Sequence, residues 1–494
     1  MNLSKALRSG SSLSDFWRIE GFSADFYNAF YVTPLAGRRG AQLPPYHLLC
    51  ILENDEEDRA ALIAAAFPSA SEKVPARAAI EKLAEDVAAR LQDWVGDQDV
   101  LSLLDSLTIG SRFHLESKRV LNGPGVWLCP NLELEQRYLT LPRLQQLWSG
   151  LSFDFPPTLR FEDLRAVSRL HDSVSTVLLP DGKQAIFKGP VRIIARMYHE
   201  LRELLRLPSH PNIVSRPRYI VTRKARNKSE NVVCGFILPY YSGGSLLDRL
   251  KYSQKVGLTG PNLRTKMKWI FQLTSALRHI HCSENGFYSD LRLDNIVLTE
   301  QDDIVLIDWE QCGSARRWLH PAAWPERGTS GSETNWATSP INPIHMPGGI
   351  FYSSPPLGYF KRFAGATDLE RQMMENYSLA KVMWCIFEEQ VNEQTISDLV
   401  GESGAATPVS LWKGGSIFPH FQKTPRRMRY WIWLCTRTSL EWGEASCRCS
   451  GEESHLCGMT GARSQQAQQA GPTLEETWMY LESTFDKRTC TRWS

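Results

Sequence analysis

The sequence predicts an α+β fold, a small antiparallel β-sheet lobe followed by a helical lobe, with a mainly helical region ahead of both. Three observations predict it. Between Phe161 and Leu238, β-type runs alternate with turn residues and enclose one helical stretch. From residue 262 to residue 281 the apolar side chains recur at helical spacing. Before residue 155 the strongest pattern is again helical, over Ala76 to Val95.

Size and composition agree with several packed domains. The 494 residues are enough for two or three. With 42% apolar residues, 22% charged residues and 16 Trp, the chain can build large cores. The net charge is only +2, from 56 basic and 54 acidic residues, so electrostatics give no case for nucleic acid or a membrane surface as partner. The first residues lack the apolar core of about 7–15 residues that marks a signal peptide. No window approaches the roughly 18 apolar residues of a membrane span. An intracellular protein, cytoplasmic or nuclear, is expected. The 11 cysteines are an odd number spread along the chain, which fits reduced thiols.

Three segments follow from the pattern. Residues 1–155 form the mainly helical N-terminal region, residues 158–445 the two-lobed domain, and residues 446–494 a disordered tail with one short helix, Leu474 to Phe485. In the first segment Pro75 opens a helix whose Ile80, Leu83, Ala84, Val87, Ala88, Leu91, Trp94 and Val95 share a face. Tyr46 to Ala66 reads as a second helix and Val100 to Leu107 as a third. Pro156-Pro157 closes the segment, since consecutive prolines stop helices and ladders.

From Phe161 the order is strand Leu164 to Leu170, strand Ser175 to Leu179, the turn Pro180-Asp181-Gly182, and strand Gln184 to Lys188. A helix then runs from Pro190 to about Leu207, with Ile193, Ile194, Met197, Leu201, Leu204 and Leu205 on its apolar stripe. Glu200 falls at the edge of that stripe, where a buried carboxylate needs a cation. Lys188 is the natural partner, and Glu203 is an alternative acid for it. Strands Tyr219 to Arg223 and Val232 to Leu238 follow, making five strands with one helix. A crossing segment, Pro239 to Leu246, leads to the helix over 262–281. A ligand is expected in the cleft between the lobes.

The chemistry centres on Tyr288-Ser289-Asp290-Leu291-Arg292-Leu293-Asp294-Asn295, followed by Ile304 to Asp308-Trp309-Glu310. Asp290, Asn295 and Asp308 stand at the edges of short apolar runs, and their oxygen donors suit Mg²⁺, which takes a few carboxylates or amides and keeps room for phosphate. Each alone reads as a turn residue. Together their spacing is specific.

These residues resemble the eukaryotic protein kinase family from about Phe161 to Trp442, in a divergent serine/threonine-type form. Ala185-Ile186-Phe187-Lys188 is similar to the family's V-A-I-K strand, and Glu200, followed by His210-Pro211-Asn212-Ile213-Val214, to its helix glutamate. Leu238 takes the gatekeeper position, and Pro239 to Leu246, with Tyr240 and Tyr241, resembles the hinge. Tyr288 to Asn295 looks like the catalytic loop, Asp308-Trp309-Glu310 like the metal triplet, and Glu375-Asn376-Tyr377-Ser378-Leu379-Ala380 like the D-V-W-S-L-G helix. The resemblance implies a bilobal protein-kinase-like fold, ATP and Mg²⁺ as cofactors, and a protein substrate phosphorylated on Ser or Thr. It also implies roles: Lys188 held by Glu200 orients the ATP phosphates, Asn295 and Asp308 hold the metal, Asp290 takes the substrate proton, and Arg292 steadies the transferred phosphate. Leu238, Tyr240 and Tyr241 would line the nucleotide site with Lys188, Glu200 and Asp308.

The departures are specific too. No glycine lies between Phe161 and Asp181, so Leu170 to Val177 replaces the glycine-rich lid whose N–H groups cradle phosphate. Tyr288-Ser289 replaces His-Arg, which removes the arginine that docks a phosphorylated activation loop. Arg292 stands for lysine and Glu310 for the glycine of the triplet, and Gln311 to Pro355 has no clear A-P-E. Two other readings stay open: a pseudokinase that binds ATP or a partner without turnover, and a small-molecule phosphotransferase of the same fold, whose I-D-W-E strand end is similar. In the tail, Cys447, Cys449, His455 and Cys457 do not match a usual structural zinc spacing.

Overall fold

The computed structural model describes residues 17–23, 29–34, 48–52, 73–95, 111–115, 125–130, 132–151, 153–171, 173–189, 194–225, 229–256, 260–283, 286–310, 344–346, 349–351, 367–391 and 479. The chain divides into two compact units: Met1–Leu201 with Pro217–Tyr240 and Pro343–Phe351, and Arg202–Arg216 with Tyr241–Asn342 and Tyr352–Ser494.

The first unit opens with a five-stranded sheet of β1 (Trp17–Ser23), β2 (Ala29–Pro34), β3 (Leu48–Leu52), β4 (Arg112–Leu115) and β5 (Val126–Cys129), in that order. Helix α1 (Lys73–Val95) lies between β3 and β4 in sequence, and those two strands pair in parallel. A parallel pair needs such a crossover, because no tight turn can return the chain to the same end of the sheet. Ala84, Val87, Ala88 and Leu91 are buried at helical spacing, and Trp94 and Trp17 meet Phe113 of β4 edge-on at 5.2 and 5.3 Å. The region expected to be mainly helical thus also carries a five-stranded sheet, which the sequence pattern did not reveal. Leu48–Leu52 is a strand, not part of a helix over Tyr46 to Ala66. An all-apolar run of five residues has no readable period, and pairing with β2 and β4 decides its form. The helix expected over Val100 to Leu107 lies outside the described residues.

Two short helices follow, α2 (Leu132–Arg137) and α3 (Leu141–Leu147), the latter capped by Thr140, whose hydroxyl accepts from Arg143 N–H. Next comes a six-stranded sheet ordered β6-β10-β11-β9-β8-β7, with β6 (Thr158–Arg160), β7 (Arg165–His171), β8 (Val174–Leu178), β9 (Gln184–Lys188), β10 (Tyr219–Lys224) and β11 (Asn231–Pro239). Five of these strands were legible. The sixth, β6, adds in parallel to β10, and the Pro157 carbonyl accepts from Ile220 N–H, so the diproline leads directly into the ladder. Gly182, at φ +77°, makes the turn between β8 and β9, a backbone region that other residues adopt rarely. Helix α4 (Ile194–Arg206) follows β9; its N-terminal half, with Ile194, Met197, Tyr198 and Leu201 buried, belongs to this unit.

The second unit contains α5 (Leu246–Val256), α6 (Leu263–His281), the hairpin of β12 (Ile296–Leu298) and β13 (Ile304–Leu306), and α7 (Asp368–Glu388). Ile344–Met346 and Gly349–Phe351, which group with the first unit, form a further antiparallel pair. Asn262 caps α6, its side chain accepting from Thr265 N–H at 2.9 Å, and basic residues fill the last turn. Thr367 and Glu370 close a capping box on α7. From Met373 to Phe387 every residue of α7 is buried, the mark of a helix surrounded on all sides. Among the described residues no helix is long and apolar enough to cross a membrane. The cysteine cluster after Cys447, the segment Gln311 to Pro343 and nearly all of the tail helix lie outside the described residues.

Candidate active site

In the first unit, β9 is an interior strand. Lys188 at its end stands opposite Phe236 of β11 on one side and Val174 of β8 on the other. Its ammonium lies 2.6 Å from the Glu200 carboxylate, and the two residues are only 6% and 0% exposed. A charge so deeply buried is tolerable only when paired, because the cost of stripping its water must be offset. Of the two acids weighed as partners, Glu200 takes the lysine, while Glu203 is engaged by Arg202 at 2.7 Å and Arg206 at 3.4 Å. Gly235 is a residue the sequence did not single out. A Cβ there would sit 2.5 Å from the Lys188 carbonyl oxygen, so only glycine lets β11 pass this close. Leu238 is buried opposite Ile186, and Tyr240 is exposed.

In the second unit the loop from Tyr288 to Asn295 is closed by its own hydrogen bonds. Asn295 Nδ2 donates to the Asp290 carbonyl at 3.0 Å and to the Asp290 carboxylate at 2.8 Å. Both side chains are buried, so the loop holds them in one arrangement. Arg292 spans the acids, with Nε 3.4 Å from Asp290, Nη1 3.4 Å from Asp294 and Nη2 3.5 Å from the Asn295 amide oxygen. Burial favours its neutral form, but Asp290, Asp294 and Asp308 outweigh that and raise its pKa. Arg292 is therefore a fixed cation inside the loop. Tyr241 is half-buried, and burial pushes its phenol up against a backbone hydrogen bond from Ser215 that lowers it.

The hairpin β12–β13 brings Asp308 to this loop. Ile307 N–H donates to the Asn295 carbonyl at 3.0 Å, and the Tyr288 hydroxyl donates to the Ile307 carbonyl at 2.5 Å. The Tyr288 ring also meets Trp309 at 5.1 Å. Burial first, then the nearby Asp290 and Asp308 charges, push the Tyr288 phenol well up, so it stays a hydrogen-bond donor. Asp308 has φ +66°, a left-handed conformation that Asp adopts more readily than most residues. Strand β13 is itself anchored. Leu306 N–H donates to the Asn212 carbonyl, Val214 N–H donates to the Leu306 carbonyl, both at 2.9 Å, and Asn212 Nδ2 donates to the Ile304 carbonyl at 2.8 Å. His210-Pro211-Asn212-Ile213-Val214 thus holds the strand that leads to Asp308.

Asn295 and Asp308 supply one amide oxygen and one carboxylate from adjoining backbone segments, a donor set that fits Mg²⁺ bound together with phosphate oxygens.

Beneath the loop lies Glu375 of α7, 2% exposed, whose carboxylate accepts from Tyr288 N–H and from His281 Nε2. His281, on α6, was not legible as a site residue, since nothing in its local sequence marks it. Burial lowers its pKa, but the Glu375 carboxylate, its hydrogen bond, and Asp368 more than reverse this, leaving it raised. A raised histidine pKa stabilises the fold fully below the unfolded value of 6.5, and the contribution is lost as pH rises through the folded value. His281→Gln is therefore expected to lower the melting temperature most at pH 6, with the gap to the unaltered protein closing toward pH 8.5. A gap independent of pH would remove the charged pair from the account.

The structure thus assembles two clusters, Lys188 with Glu200 in one unit, and Asp290, Arg292, Asn295 and Asp308 in the other. In comparison with known proteins, no curated protein matches the chain. The family model described as protein kinase domain matches residues 188–331, a span that starts at the paired lysine and runs through the whole loop. This segment, somewhat under a third of the chain, is what is similar to the protein kinase domain.

Proposed function

We propose that the chain is an active, ATP-dependent protein kinase that transfers the γ-phosphate to a Ser or Thr hydroxyl of a protein. The observation that carries this reading is the buried Lys188–Glu200 ion pair at 2.6 Å. Two buried charges contribute little net stability over an apolar pair, so their retention speaks for a ligand that uses the lysine. In this reading Lys188 orients the α- and β-phosphates of ATP, and Leu238, Tyr240 and Tyr241 contact its base. Asn295 and Asp308 would hold Mg²⁺, which would supply positive charge to offset that of the ATP phosphates. Asp290, fixed by Asn295, aligns the substrate hydroxyl and accepts its proton. Arg292 keeps positive charge beside Asp290, where the transferred phosphate carries negative charge. The Ser/Thr preference rests on the cation two residues after Asp290 and on the family resemblance.

One feature favours a second reading, a pseudokinase. The β7–β8 hairpin has no glycine, so its backbone is less able to approach phosphates closely. Thermal shift with Mg-ATP, run beside transfer of labelled phosphate to a generic protein substrate, separates the two. A ligand at about 100 times its Kd stabilises by about 2.7 kcal/mol, so binding is visible without turnover. Transfer supports the kinase, a shift alone the pseudokinase, and transfer only to small hydroxylated or aminated compounds overturns both. Lys188→Met is expected to reduce transfer by about 100-fold or more, since misplaced phosphates forfeit the geometry of reaction. Normal turnover in that variant would exclude Lys188 from the site.

A further inference from the structure

The residues just before the six-stranded sheet bind the helix that carries Glu200. Strand β9 ends at Lys188, opposite Phe236, so beyond that point the edge of β11 is open to another partner. Leu139 and Thr140 take that place. Thr140 forms an antiparallel bridge with Val232, and Val233 N–H donates to the Leu139 carbonyl at 2.8 Å. The Leu139 N–H in turn donates to the Tyr198 hydroxyl at 2.8 Å, and that hydroxyl donates to the Val233 carbonyl at 3.0 Å. Three hydrogen bonds close a triangle of segment, strand and helix. The segment is anchored again by Glu135, whose carboxylate takes both Nη1 and Nη2 of Arg223 on β10 at 2.8 and 2.5 Å.

Tyr198 and Glu200 are two residues apart on α4. At about 100° per residue they point to nearly opposite sides of the helix. Lys188 grips one side and Leu139 the other, and both grips trace back to β11. A rotation or slide of α4 would break both. We infer that Tyr198 is a positioning residue and that the segment Glu135 to Thr140 is a built-in brace, holding α4 at the rotation in which Glu200 meets Lys188. This gives the region ahead of the family segment a role in nucleotide binding, and it rests on the kinase reading above.

The test uses the full chain. Tyr198→Phe keeps the ring and removes only the hydroxyl, so the protein should fold. It is expected to weaken Mg-ATP binding, or raise the ATP KM, by roughly threefold to tenfold, the net worth of one or two buried hydrogen bonds, with the protein-substrate KM unchanged. In a Glu200→Gln background the same change should have no further effect, because the brace acts through Glu200. An unchanged ATP affinity, or an equal loss in both backgrounds, would overturn the inference. A second readout does not depend on nucleotide. Hydrogen exchange should quicken over Ile194–Arg206 in Tyr198→Phe while Gln184–Lys188 keeps its protection. If the unaltered protein fails to respond to Mg-ATP, the kinase reading falls, and the exchange result decides the brace by itself. Unchanged exchange over α4 would refute it.

Discussion

Asp290→Asn is expected to abolish measurable phosphate transfer while the Mg-ATP-induced rise in melting temperature persists. The substitution is isosteric, and the Asn295 Nδ2 bond to the residue 290 backbone carbonyl survives it, as can the bond to the side-chain oxygen. What disappears is the basic oxygen that takes the hydroxyl proton, worth about 10²–10⁴ in rate for a positioned general base. The partner of Arg292 Nε is weakened as well, which leaves the cation facing Asp294. Transfer within tenfold of the unaltered protein would remove Asp290 from the proton step. Loss of the thermal response together with transfer would point to a collapsed loop.

Glu135→Ala is expected to be the most destabilising of the single changes, by about 3–5 kcal/mol, through the Arg223 guanidinium it leaves buried and uncompensated. Glu135 and Arg223 are 1% and 9% exposed, so water cannot take over from the missing carboxylate. Burial favours neutral Arg223, and the Glu135 hydrogen bond with the surrounding groups overrides that and raises its pKa, so the guanidinium stays charged in the folded protein. Its face also covers the Tyr138 ring at 5.1 Å, a contact that depends on the same placement. Urea unfolding followed by tryptophan fluorescence measures the loss. A change below about 1 kcal/mol would mean that the site relaxes or admits water. Glu135→Gln, which can keep one hydrogen bond but not the charge, should fall between the two.

Much of the sheet and loop could be read from sequence because the signals are local. Gln184–Lys188 and its Asp-Gly turn, the period of Leu263–His281, and the spacing of Asp290, Asn295 and Asp308 all lie within short windows. The N-terminal sheet was not legible. Its strands are brief, β3 pairs in parallel with a strand some sixty positions on, and their form is settled by partners rather than by period. The pairing of Lys188 with Glu200 could be argued from charge burial. The bonds from Glu375 to Tyr288 N–H and His281 could not, because they join residues about ninety positions apart on α6, α7 and the loop. Tyr198 shows the same limit. Nothing in the local sequence singles it out, and only the fold reveals that its hydroxyl receives the Leu139 amide.

The strand β11 has a consequence for how such a protein can be rearranged. Family similarity begins at Lys188, yet Val232 and Val233 complete their hydrogen bonding with Leu139 and Thr140, about fifty residues upstream. The physical module is therefore longer than the inherited motif. A chain rejoined anywhere between residues 148 and 188 would part Leu139 and Thr140 from the strand whose hydrogen bonds they complete.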